Sequence, residues 1–517
     1  MSLPETRSAK RAANRSSMSM TARTVFLLAA ALGVGCAPAA VDTAPPAPAA
    51  EVAAPDRSER PDPGPVPELR LPEVQRLTLS NGLEVYLLEK HDVPLVQVNL
   101  AVGAGSVHDP AERLGIASLT AGMLDEGAAG RSALEIADAL EYLGARFFIA
   151  PGTHATRIGL RVPTARLEEG LDVFSDVVLR PDFPGQELDR LRAERLTSLV
   201  RRHDDPQAVA GVLFGQRVFG PDHPYGRTAV GDEAHLRAMT TDDLRRFHET
   251  HFRPDNASVV VVGAISPDEV RARLEAALGG WERGEVPTAP VAEPGPIEGR
   301  TIYLVDVPGA AQSVIRLGHL GVPRSTEDYY ALEVMNTILG GSFTSRLNRN
   351  LREDKGYTYG ARSGFDMWVN PGPFWAGAAV QTDVTGPALT EFMNELRRIH
   401  EPMPEEEVSL ARNFLAMRYP AGFQSVSEIA GRVGGLIEHG LPVDELDAYT
   451  ARVLEVERAD VERAARRYVD PENMAIVVVG DRAVIEEQIR AQGIGDVEIL
   501  EVADVLGAVP VVTGPGT

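Results

Sequence analysis

The sequence predicts an α+β protein of two duplicated α/β-sandwich domains, each an antiparallel sheet with helices packed on it. Three observations carry this prediction. First, Arg253-Pro254-Asp255-Asn256-Ala257-Ser258 runs into Val259-Val260-Val261-Val262-Gly263, and Asp470-Pro471-Glu472-Asn473-Met474-Ala475 runs into Ile476-Val477-Val478-Val479-Gly480. Each copy follows an Arg-rich helical stretch, and the interval between them is a domain's length, too long for a solenoid unit. Second, both halves open on strand-like alternation, at Val96, Val98, Leu100 and Val102 and again at Val314, Arg316 and Gly318. Third, helical spacing follows. It runs through Leu134, Ala137, Leu140 and Leu143 to Gly144, then Leu167, Leu171, Phe174 and Val178. In the second half it runs through Tyr330, Val334 and Ile338 to Gly340-Gly341.

The elements follow in chain order. Residues 1–36 read as an export signal: Arg7, Lys10, Arg11, Arg15 and Arg23 precede a short apolar core, Val25 to Gly35, which ends at Cys36. Small residues closing on Gly-Cys resemble a bacterial lipobox, with Leu32 four residues ahead of the cysteine and Gly33 where Leu is usual. A plain cleaved signal with an idle thiol is the alternative. Ala37 lacks the Asp that often retains lipoproteins at the inner membrane, so the expected place is periplasm-facing, the outer membrane ahead of the inner. Residues 37–72 are rich in Pro and Ala and form a spacer that buries no core. A first domain over 73–283, a Pro-rich linker over 284–298, a second domain over 299–490 and a tail over 491–517 complete the division.

Composition narrows the function. The 517 residues carry 51 Lys+Arg against 74 Asp+Glu, a formal charge of −23, which argues against a nucleic-acid or anionic-lipid binder. Cys36 is the only cysteine, so neither an internal disulfide nor a Cys-based zinc site is available. No run approaches the roughly 20 apolar residues of a membrane-spanning helix, so contact with a membrane is expected only through a lipid anchor.

Motifs in both halves carry a resemblance. In the first half they are Ser80-Asn81-Gly82-Leu83, Val102-Gly103-Ala104-Gly105-Ser106, Gly115-Ile116-Ala117, His223-Pro224-Tyr225-Gly226 and the Pro-x-Asn turn before Val259. In the second half they are Gly341-Ser342-Phe343-Thr344-Ser345-Arg346-Leu347 and Leu351-Arg352-Glu353-Asp354-Lys355-Gly356-Tyr357-Thr358-Tyr359. In this order, over about 75 to 490, they are similar to the pitrilysin/insulinase-type zinc peptidases, the inverzincins, and to their bacterial processing-peptidase-like branch. The resemblance implies duplicated sandwich domains in a clam-shell arrangement.

The family's chemistry rests on His-x-x-Glu-His, in which two histidines one helical turn apart hold Zn²⁺ and the glutamate takes a proton from the metal-bound water. The five residues after Gly115-Ile116-Ala117 are Ser118, Leu119, Thr120, Ala121 and Gly122. Ser118 and Gly122 fall at the ligand positions and Ala121 at that of the base, and none suits its task. The resemblance places a third ligand, a glutamate, soon after a Glu-Arg pair. Glu194-Arg195 is followed by Leu196 to Arg202 with no carboxylate, and Glu194 itself reads as an exposed helix charge. No metal and no cofactor is assigned to this chain.

Other histidines offer no replacement. His248-Glu249-Thr250-His251 is one residue short of His-Glu-x-x-His and reads as structural. His203 with Asp204 and Asp205 reads as a solvated loop, and His91, His108, His154 and His235 show no ligand spacing.

Arg352 and Tyr359 match the Arg and Tyr that, in this family, approach the active site from the C-terminal domain. A guanidinium can hold a peptide carbonyl and a phenol can donate to an oxyanion. The plainer reading gives Arg352 a structural ion pair and Tyr359 a core edge. Gly340-Gly341 reads as a substrate-contacting loop or a plain turn.

The resemblance therefore implies a non-catalytic subunit of a two-chain zinc endopeptidase. Its heterodimer partner would carry His-x-x-Glu-His and the Zn²⁺, and peptides would be enclosed between the chains. Two alternatives stay open. One is a structural or peptide-binding scaffold like the family's respiratory-complex core subunits. The other is a hydrolase using Ser118, for which no Gly-x-Ser-x-Gly context exists.

Overall fold

A computed structural model describes residues 64–67 and 69–511. The export signal, Cys36 and most of the first Pro-rich stretch lie outside the described residues. Strands β1 (Gln75–Thr78), β2 (Glu84–Glu89), β3 (Leu95–Val102), β6 (Arg146–Pro151), β7 (Thr156–Pro163) and β8 (Ala257–Gly263) form one sheet, while β4 (Gly127–Ala128) and β5 (Arg131–Ser132) make a small separate hairpin. Strands β9 (Arg300–Asp306), β10 (Gln312–Leu320), β11 (Arg362–Phe365), β12 (Pro373–Gln381), β13 (Met474–Gly480) and β14 (Asp496–Glu501) form the second.

The first sheet runs β1-β2-β8-β3-β7-β6 and the second, read from the matching edge, β14-β9-β13-β10-β12-β11. The duplication seen in sequence is thus a duplication of topology. Each sheet is mixed, not wholly antiparallel, because β2 pairs with β8 and β9 with β13 in parallel. In each half a long helical excursion separates these two strands, which is what a parallel pairing needs. The copies differ at one edge. There β1 runs antiparallel to β2, whereas β14 runs parallel to β9. Asp496–Glu501, within the stretch expected as a tail, is therefore a strand of the second sheet.

The all-valine runs have a physical reason. A central strand covered on both faces needs apolar residues at every position, and the covers come from different halves. Val259 and Val261 face the core of the first half, while Val260 and Val262 join the core built around the second-half helix Val426–Glu438. Reciprocally, Val477 and Val479 pack with Val209, Leu213 and Phe214 of the first-half helix Pro206–Phe219. Each half lends the other a helix. Each buried valine contributes on the order of 1.5–3 kcal/mol, so neither sheet keeps its second face without the opposite half.

Candidate functional site

The helix Ile116–Met123 carries the positions that correspond to the metal motif. Its start is fixed by Gly115 at φ +90°, where a Cβ would meet the Val230 carbonyl at 2.5 Å. The Asp109 carboxylate accepts from the N–H groups of Gly115 (2.7 Å) and Ala117 (3.0 Å) and satisfies donors the helix leaves open. Burial pushes the Asp109 carboxyl up to about 6, against those two N–H donors and the nearby Arg227 and Arg195.

Ser118 is buried and held by Arg195 of the helix Gly185–His203. Arg195 donates from Nη1 to the Ser118 hydroxyl (3.0 Å) and from Nη2 to the Ser118 carbonyl (2.7 Å). The same Nη2 would lie 3.2 Å from a Cβ on Gly122. One guanidinium therefore lies against both would-be ligand positions. Burial draws its pKa down to about 10, with Asp109 opposing. Ala121 and Gly122 offer no side-chain donor atom, and the only hydroxyl is engaged by a cation. This set does not fit Zn²⁺. Among the described residues no three His, Cys, Asp or Glu side chains gather as a metal-binding group. Nor does any histidine or carboxylate among them hydrogen-bond the Ser118 hydroxyl, so nothing activates it as a nucleophile.

On the neighbouring helix, Glu194 faces outward and pairs with Arg190 at 2.7 Å. Leu196 and Leu199 turn inward onto Leu236, so the buried positions of the stretch expected to hold a third ligand are apolar.

The histidines mostly serve packing. His248 donates from Nε2 to the Val178 carbonyl (2.8 Å) and stacks on Phe252, and burial draws its pKa down to about 4. His251 packs on Phe247 and on His108, whose ring lies 4.9 Å away, and burial with that neighbour draws it to about 4 as well. Asp204 and Asp205 are exposed between two helices, as a solvated loop would be, while His203 is half-buried at the end of the first. The His203 ring lies between two carbonyls, with Nδ1 2.9 Å from that of Leu199 and Nε2 3.2 Å from that of Gly507, and Asp205 caps the next helix through the Gln207 N–H (2.9 Å). Tyr225 links the halves, with its hydroxyl 2.6 Å from His154 Nε2 and 3.2 Å from Asn370 Nδ2, and its ring edge-on to Trp368.

In the second half, Arg352 projects from a firmly held segment. Leu351 is fully buried, Lys355 pairs with Glu391 at 3.4 Å, and Thr358 donates to the Ala379 carbonyl at 2.6 Å. The Arg352 guanidinium lies 4.4 Å from the Phe343 ring and 5.5 Å from the Tyr359 ring. Tyr359 is 92% exposed and Phe343 62%. The plainer reading of this pair does not hold, since Tyr359 edges no core and Arg352 makes no ion pair among the described residues. Gly340 packs so tightly that a Cβ would meet the Ser363 N at 2.3 Å, which makes this turn a close contact rather than a loose loop. Arg346, six residues on, is tied to Glu407.

Sequence reasoning passed over Arg195 and Phe343, although both lie in motifs that it quoted. In the Glu-Arg pair the sequence draws attention to the carboxylate, whereas the structure gives the role to the guanidinium. An aromatic beside a Gly-Gly turn signals nothing until the fold brings it to Arg352.

The comparisons with known proteins bear on both halves. Residues 84–210 match the family described as Insulinase (Peptidase family M16), and residues 238–415 match Peptidase M16 inactive domain. A zinc protease of Mycobacterium leprae is 31% identical over 307 residues, 59% of this chain and 69% of its own length. One of Bacillus subtilis is 27% identical over 299 residues, 58% of this chain and 72% of its own. The crystal structure of a peptidase M16 inactive domain from Pseudomonas fluorescens aligns with TM-score 0.75 at 27% identity, over 79% of this chain and 98% of that one.

Proposed function

The chain belongs to the insulinase family, peptidase family M16, and from that premise we propose that it is the non-catalytic chain of a two-chain zinc endopeptidase. The partner would carry the intact His-x-x-Glu-His and the metal. This chain would help enclose the peptide and present Arg352 and Tyr359 to the partner's site.

One observation carries the reading: the guanidinium of Arg352 lies against two exposed rings and makes no side-chain hydrogen bond or ion pair among the described residues. An arginine fixed in this way loses little freedom on meeting a peptide carbonyl, and its planar fork suits that acceptor. Tyr359 offers a phenol O–H, the kind of donor that stabilises an oxyanion in acyl transfer. The misfit of Ser118, Ala121 and Gly122 to Zn²⁺ supports assigning the metal to another chain. The export signal and Cys36 extend the proposal to a lipid-tethered protein facing the periplasm.

Reconstitution is the test. The chain is mixed with a family member that carries the intact motif, and cleavage of a fluorogenic peptide is followed for each chain alone and for the pair. Turnover that requires both chains supports the reading. A pair that assembles without any gain over the metal-bearing chain alone would favour a scaffold.

A further inference from the structure

A cleft of about 570 Å³, within the range of small-ligand sites, opens beside the Ile116–Met123 helix. Leu114 and Gly231 bound it at the start of that helix, and Leu199 and Arg202 at the end of the Gly185–His203 helix. The C-terminal segment through Val505 and Pro510 forms another wall.

Two guanidiniums line this cleft without a partner. Among the described residues neither Arg202 nor Arg227 makes a hydrogen bond or an ion pair from its side chain, although the charge of Arg227 acts on buried Asp109 and opposes the rise of its pKa. The other charges are matched, Arg237 to Glu233 at 2.7 Å and His235 to Asp232 at 2.7 Å. Both unpaired arginines are half-buried, and burial lowers the pKa of Arg202. Partly desolvated charges are costly, and the two carboxylates that line the cleft, Asp232 and Glu233, are bound to His235 and Arg237 and make no ion pair with either arginine.

The same cleft already holds a stretch of main chain. His203 Nε2 lies 3.2 Å from the Gly507 carbonyl and Arg237 donates from Nη2 to the Val511 carbonyl (2.5 Å), while the Val511 N–H donates to Glu233 (3.3 Å). A peptide laid beside this segment would meet Arg202 and Arg227, whose planar forks suit a carboxylate.

We propose that this cleft binds a peptide through a carboxylate held by Arg202 and Arg227, with the chain's own C-terminal segment as the wall along which the peptide lies. The site stands apart from Arg352 and Tyr359 and requires no partner chain.

Calorimetric titration of the purified full-length chain tests it with three probes: tetra-alanine, tetra-alanine amide, and the amide of Ala-Ala-Asp-Ala. A probe with a carboxylate should bind at least about tenfold more tightly than the neutral amide. Whether tetra-alanine or the Asp-containing amide binds distinguishes a chain-end carboxylate from a side-chain one. Arg202→Gln and Arg227→Gln should each raise Kd about tenfold or more, while exposed Arg201→Gln should leave it unchanged. Equal binding of the neutral amide overturns the proposal, and so do unaltered affinities in both variants. So, too, does a chain that binds inorganic phosphate but none of the three peptides.

Discussion

Arg195 grips Ser118 at two points, the hydroxyl at 3.0 Å and the carbonyl at 2.7 Å. A fixed organic cation therefore lies where the family's metal motif would place its first ligand, and its repulsion adds to the lack of donor atoms. Purified chain should contain well under one equivalent of zinc by elemental analysis. Excess zinc should move Tm by less than about one degree, whereas a metal at 100 times its Kd would add about 2.7 kcal/mol. Stoichiometric zinc accompanied by peptide cleavage would refute this.

Tyr359 and Arg352 are the residues to change in the reconstituted pair. Tyr359→Phe removes one hydroxyl from an exposed ring, so stability and assembly should survive. If that hydroxyl donates to an oxyanion, kcat should fall on the order of 10²-fold, roughly 3 kcal/mol. Arg352→Lys keeps the charge without the fork and should raise KM as well. Phe343→Ala frees one side of Arg352 and should act in the same direction, more weakly. Steady-state cleavage with assembly checked by size decides, and full activity in Tyr359→Phe would sink the catalytic role.

His248 and His251 make the fold sensitive to acid. Burial draws both down to about 4, below the ordinary histidine value of about 6.5, so the folded chain keeps them neutral while the unfolded chain takes up protons. Their contribution is fully present above about pH 6.5 and is lost as pH falls toward 4. With two sites the slope approaches about 2.7 kcal/mol per pH unit. His251→Leu removes one of them and should flatten the slope of urea-derived stability between pH 6 and pH 5 by up to about 1.4 kcal/mol per pH unit. An unchanged slope would show that His251 titrates normally.

Leu213, in the helix lent to the second sheet, is fully packed against strands of the other half. Leu213→Ala should cost about 2–5 kcal/mol. Because the halves share covers, the loss should lower one common transition rather than split it. Two separated calorimetric peaks, only one of them shifted, would contradict the interlocked core.

Cys36 supports an expectation about location. Replacing it by Ser should release soluble protein from the membrane fraction, since a single acyl anchor is what would hold the body there. Membrane association that survives Cys36→Ser would exclude the lipid anchor.

Much of this protein was written locally. The runs Val259–Gly263 and Met474–Gly480 announced central strands because a strand covered on both faces needs apolar side chains at every step. The metal positions could be read as Ser118, Ala121 and Gly122 because that motif is contiguous on a single helix. Tertiary structure decided the rest. Nothing in the periodicity of Pro206–Phe219 or Val426–Glu438 says which sheet its apolar stripe will cover, since a stripe fits any complementary apolar face. The parallel steps, the edge strand β14 among them, depend on long excursions whose return direction no local pattern records. Arg195 with Ser118, and Phe343 with Arg352, meet only when the chain has folded. A guanidinium carries no mark in sequence of whether a carbonyl, a ring or open water will face it.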